Sequence, residues 1–175
     1  KDNGIYLVNT QPLSYDYMVT KYIAYKEGNI LVDDLEKREK LEVETLKILE
    51  ELGYSLEETG TYFYKDVIVK AVEQLQESSS EESYQELIED LNNDYSQFYF
   101  DIARNGYDVG LKTFHSCINI SHQTKNPQDT VLQQRIGIKD ANRNYRQEGL
   151  LIADYITENQ TRKKMPQVKQ KAMNY

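Results

Sequence analysis

Residues 101–118 read DIARNGYDVGLKTFHSCI. Phe98, Ile102 and Ala103 are spaced as the inner face of a helix that ends at Asn105 and Gly106. Leu111, Phe114, Cys117, Ile118 and Ser121 recur at helical spacing as the buried side of the next one. Two helices joined by a short glycine-containing turn are the layout of a helix-turn-helix, whose second helix enters the major groove of DNA. With Leu111, Phe114 and Ile118 inward, the outward set is Lys112, Thr113, His115, Ser116 and Asn119. Lys112 can pair with guanine, Asn119 with adenine, and Thr113 can meet a thymine methyl group or a phosphate. Binding also requires phosphate neutralisation. Arg104 and Lys125 flank this helix, and Arg135, Lys139, Arg143, Arg146 and a basic tail lie beyond it.

Upstream, the pattern is helical back to Asp33. DDLEKREKLEVETLKILEEL (33–52) opens with acids and closes at Gly53, the signals of a helix start and stop. Its apolar face is Leu41, Leu46, Ile48, Leu49 and Leu52. In TYFYKDVIVKAVEQLQ (61–76), Phe63, Val67, Ala71 and Leu75 repeat every four residues, with Tyr64, Ile68 and Val72 beside them, so this helix is expected to be buried. ESSSEES (77–83) is a polar linker, and Ser83 with Glu86 forms a capping box for a helix facing Tyr84, Leu87, Ile88 and Leu91 inward. Asn92 to Asp94 break the pattern. Asn126 and Pro127 end the helix-turn-helix region, and residues 140–160 form a last amphipathic helix, weakened by Gly149. Ahead of all this, IYLV (5–8), KYIAY (21–25) and ILV (30–32) are β-rich, and Gly28 with Asn29 supplies a turn. Residues 1–33 are therefore expected to be a β-hairpin or arm, either clamped on the helical body, swapped, or acting as a separate binding element. The expected architecture is mainly α: an arm at 1–33, a helical domain at 34–160 with the helix-turn-helix around 96–122, and a basic tail at 161–175.

The net charge of −8 conceals two unlike halves. Residues 33–101 carry 20 acidic and 6 basic side chains, whereas residues 104–175 carry 12 basic and 6 acidic. The basic half is able to meet phosphates while the acidic half faces elsewhere. Hydrophobic residues at 39% and charged residues at 29% suit a globular chain. No apolar run approaches the roughly 18 residues that cross a bilayer, and the N-terminal residues lack a secretory layout. With one cysteine, Cys117, there is no internal disulfide, which points to a reducing cytoplasm. The sequons at Asn119 and Asn159 are read as chance matches.

At LKILEELGYSLEETGTYFYKDVIVKAVEQL (46–75) the chain resembles the C-terminal effector domain of the stage-zero sporulation protein A response regulators. The matching residues are Ile48, Leu49, Leu52, Gly53, Gly60, Tyr62, Tyr64, Lys65 and the run to Val72. FYFDIA (98–103) has the form of the segment ahead of that family's helix-turn-helix turn, and KTFHSCI (112–118) falls where its recognition helix lies. The resemblance covers about residues 41–124. It implies an all-helical body, an embedded helix-turn-helix, and a transcription factor that binds double-stranded DNA as paired copies. Three departures stand beside it. The family's receiver domain does not follow ILVDD (30–34), the recognition helix lacks the family's arginines, and the turn RNGYDVG (104–110) is about one residue longer.

Two functional classes remain in view. One is a sequence-specific DNA-binding regulator without a receiver, expected to be a homodimer because one short helix reads few bases. The other is a non-catalytic acidic module or inhibitor that docks on a basic, nucleic-acid-handling protein. In the second reading Asp33, Asp34, Glu36, Glu39, Glu42 and Glu44, with Glu57, Glu58, Glu77, Glu81, Glu82, Glu86, Glu89 and Asp90, form a negative docking surface; in the bland one they are merely solvated helix faces. Catalysis is not expected. His115, Cys117 and His122 are too few and wrongly spaced for a zinc site, Cys117 sits at apolar spacing, and no phosphate-binding glycine motif occurs. No cofactor and no membrane association are expected. Tyr62, Tyr64, Tyr95 and Tyr99 are read as half-buried rings with wet hydroxyls.

Overall fold

The computed structural model describes residues 20–29, 31, 35–93, 95–126, 130–138 and 144–160, and every regular element among them is a helix. Residues 20–26 form α1, followed by α2 (Lys37–Glu51), α3 (Thr59–Leu75), α4 (Glu81–Asn93) and α5 (Tyr95–Ile102). A π-helical turn at Ala103–Tyr107 leads to α6 (Leu111–Thr124), α7 (Thr130–Ile136) and α8 (Tyr145–Gln160). The mainly α architecture expected from periodicity is therefore the observed one. None of the described helices is long and apolar enough to cross a membrane.

Helix α3 lies at the centre, in contact with α2, α4, α5, α6 and α8. It is buried on almost every side, through Phe63, Val67, Ile68, Ala71, Val72 and Leu75 among others, which is why its sequence is apolar over most of its circumference. Helix α2 stops where expected: Gly53 takes φ 100°, a conformation that suits glycine just past a helix end. Its polar edge holds α3 through Lys65, a buried cation whose Nζ lies 2.8 Å from Glu42 and 2.6 Å from Asp66.

Several local expectations change. Residues 21–25, read as one strand of a hairpin, are helical. Tyr22 is buried against α2 and donates its hydroxyl to Glu50 at 2.9 Å, while Lys21 pairs with Glu39 at 2.6 Å. Docking on a neighbour overrides the β preference of this short aromatic segment. Residues 5–8 and most of 30–34 lie outside the described residues, as does the tail at 161–175. Helix α4 starts at Glu81, and Ser80 rather than Ser83 is the capping side chain, its Oγ accepting the Ser83 N–H at 3.0 Å. Helix α7 has no counterpart in the sequence pattern; Leu132 and Ile136 bury its inner side, and Gly137 at φ 96° ends it. The last helix begins at Tyr145, not 140, with Asn144 Oδ1 accepting the Gln147 N–H at 3.0 Å.

The tyrosines also differ from expectation. Tyr62, Tyr64 and Tyr99 are fully buried, not half-buried. Tyr62 donates to the Leu56 carbonyl at 2.8 Å and Tyr64 to the Tyr145 carbonyl at 2.6 Å, so these hydroxyls are satisfied by protein instead of water.

Candidate nucleic-acid interface

The segment read as a helix-turn-helix comprises α5, the π turn and α6. The first helix does not end at Gly106: it widens at Ala103 and runs to Tyr107, and the left-handed residue that reverses the chain is Asp108 (φ 53°, ψ 44°). Tyr107 dictates this, because its ring packs 4.5 Å from that of Phe63 on α3. A wider i→i+5 turn absorbs one extra residue. Gly106 has an ordinary φ and open space around it, so nothing there requires glycine.

Helix α6 starts after Gly110 and buries Phe114, Ile118, Ser121 and His122. It is held on three sides. Beneath it, Phe114 stacks on Phe63 at 4.9 Å, and Gly60 lets α3 approach the backbone at Cys117. On its flank, His115 stacks on Tyr99 of α5, 5.0 Å between centroids and 17° between planes, and shares a hydrogen bond with the Tyr145 hydroxyl of α8. At its C-terminal end, a buried chain of hydrogen bonds joins three elements. Tyr54, in the α2–α3 loop, donates to Glu148 Oε1 at 2.7 Å, and its oxygen lies 2.9 Å from His122 Nδ1. With the Tyr54 proton directed at Glu148, His122 must carry its proton on Nδ1 and donate to Tyr54. Burial, and then the Glu148 charge, hold the Tyr54 hydroxyl well above the usual phenol range, so it remains a donor.

This packing sorts the sequence-derived residues. Lys112, Thr113, Ser116 and Asn119 are exposed, on the face of α6 opposite Phe114 and Ile118. His115 does not share that face; it is half-buried in the cluster of Tyr95, Tyr99 and Tyr145. Burial, then the positive charge of Arg146, hold its imidazole below the ordinary value and so favour the neutral form. Arg104 projects from the turn with Asp108 at 4.0 Å, a weak exposed pair. Lys125 folds back over the Tyr54 ring at 5.8 Å and donates to the His122 carbonyl at 3.3 Å. Arg135 is exposed on α7 and Arg146 stacks on Tyr95, while Lys139 and Arg143 lie outside the described residues.

Sequence reasoning missed Ile120, which is 49% exposed beside Asn119, and the Tyr54–His122–Glu148 chain. The exposure of Ile120 was legible, since it falls two residues past Ile118 and off the buried stripe. The hydrogen-bonded chain joins residues 68 and 94 positions apart and left no local signal. Cys117 is half-buried, and burial with Glu58 pushes its thiol above the ordinary value, away from thiolate chemistry. Among the described residues no group of three or more His, Cys, Asp or Glu is placed to hold a metal ion. The N-terminus of α6 has no side-chain cap, so the first N–H groups of the helix are spared for an outside acceptor. The chain matches no family model, no curated protein and no solved structure.

Proposed function

We propose that the chain is a DNA-binding regulator that reads the major groove with α6. The observation that carries this is the solvent face of that helix. Lys112, Thr113, Ser116 and Asn119 stand together on the free side of a helix fixed on its other sides, and fixed geometry is what base readout needs. The uncapped N–H groups at its start suit a phosphate. Arg104 and, after unfolding from Tyr54, Lys125 would contact flanking phosphates. Two copies reading two half-sites would give useful specificity.

The test is a comparison of variants on a selected duplex. Lys112→Ala and Asn119→Ala each lower affinity by about 10- to 100-fold, the value of a good base contact, without changing the thermal midpoint. Arg104→Ala weakens all sequences alike and reduces the salt slope by about one. Unchanged binding in the Lys112 and Asn119 variants would remove α6 as the reading element.

A second reading, docking on a basic nucleic-acid-handling protein, is favoured by two observations. Ile120 puts an apolar side chain on the α6 face, and Glu81, Glu82, Glu86, Glu89 and Asp90 are all exposed on α4. In that case reversing Glu81, Glu82 and Glu86 to Lys abolishes function while Lys112→Ala does not.

A further inference from the structure

A cleft of about 200 Å3 opens between α3, α4, α5 and the start of α8. Val67, Ala71 and Leu91 form an apolar part of its lining, and Tyr95 and Tyr99 present rings to it. Its polar lining includes Asn92, Arg146 and Gln147. The Arg146 guanidinium lies over the Tyr95 ring, its Cζ 3.8 Å from the centroid. Among the described residues Arg146 has no hydrogen-bond or ion-pair partner, and neither have the side-chain amides of Asn92 and Gln147.

We propose that this cleft binds a small carboxylate compound with an aromatic or compact apolar body. A guanidinium seated over an aromatic ring presents a fork that matches a carboxylate with two parallel hydrogen bonds. The exposed amides of Asn92 and Gln147 beside it can exchange water for the remaining lone pairs, and the apolar lining with the tyrosine rings fits the body of the ligand. A bare phosphate would use the fork and leave the apolar lining unfilled. Tyr99 has a further role, because it lines the cleft and also stacks on His115 of α6. An occupant is thus one ring away from that helix, and a bound carboxylate offsets the Arg146 charge that disfavours His115 protonation.

The experiment is a nitrogen-15 NMR titration of the full chain with benzoate, using benzamide and inorganic phosphate as comparison probes. The expected result is saturable shifts at the Arg146 side-chain N–H and at the amides of Asn92 and Gln147, with a dissociation constant of about 1 mM. Benzamide and phosphate bind at least about tenfold more weakly, and benzoate raises the apparent pKa of His115. Arg146→Gln, with an otherwise unchanged spectrum, loses the response. The proposal is overturned by no saturable shift at about 10 mM benzoate, by equal binding of benzamide or phosphate, or by an undiminished response in Arg146→Gln. None of these outcomes depends on whether the chain binds DNA.

Discussion

Gly60 of α3 and Cys117 of α6 meet backbone to backbone. A Cβ on Gly60 would lie 1.8 Å from the Cys117 carbonyl oxygen and 2.5 Å from Ser121 Oγ, far inside any real contact. The helix that carries the candidate interface is thus seated on a position where no side chain fits.

Gly60→Ala is therefore expected to force α6 off α3. Backbone atoms cannot step aside as a flexible side chain can, so the cost is about 3 kcal/mol or more. Urea unfolding measures it. Gly110→Ala is the control: that glycine has open space and an ordinary φ at the N-cap of α6, and only the ordinary loss of about 1 kcal/mol for alanine at an N-cap is expected there. Equal losses at both sites would show that α3 and α6 do not approach as described.

Tyr54→Phe removes the hydroxyl that joins His122 to Glu148. The carboxylate is 2% exposed and the replacement leaves it without its donor. Stranding a buried polar group costs about 1–3 kcal/mol, more where it is charged. A lowered thermal midpoint with an unchanged helical spectrum is the expected result. Glu148→Gln should be milder, because an amide oxygen can still accept from Tyr54.

His115 gives a pH dependence of known sign. The unfolded chain takes up a proton on this residue near the ordinary value of 6.5, whereas the folded chain does so only at lower pH. Between those two values the unfolded chain binds more protons. The contribution of His115 to stability is complete above 6.5 and is lost as pH falls towards the folded value. His115→Phe can still stack on Tyr99 but cannot titrate. Its urea midpoint is expected to fall less than that of the parent chain between about pH 7.5 and about pH 5.5. Parallel behaviour of the two proteins would mean that His115 titrates as it does in the unfolded chain.

Helices α2 and α3 were legible in the sequence because their inward faces repeat at helical spacing over many residues, as Phe63, Val67, Ala71 and Leu75 do. The exposed members of the α6 face were legible for the same reason. His115 was not, because what buries it is Tyr99 on α5 and Tyr145 on α8, the latter 30 positions away. The turn was misplaced because Gly106 is the familiar helix stop, yet the packing of Tyr107 on Phe63 moves the reversal to Asp108. Residues 21–25 look like a strand by composition alone, and only the surface of α2 makes a helix the better way to bury Tyr22. The tyrosine hydroxyls follow the same logic: their acceptors, Leu56 and Tyr145, are fixed by tertiary structure and not by their neighbours in sequence.

The central claim is that the exposed face of α6 reads DNA, and fluorescence anisotropy of the full chain against a random duplex pool over a salt series tests it most directly. The account predicts binding that weakens steeply with salt, that selection sharpens to a motif, and that Lys112→Ala and Asn119→Ala impair on the selected sequence. Absence of binding even at low salt would contradict it and leave the acidic face of α4 and Ile120 as the surface to pursue.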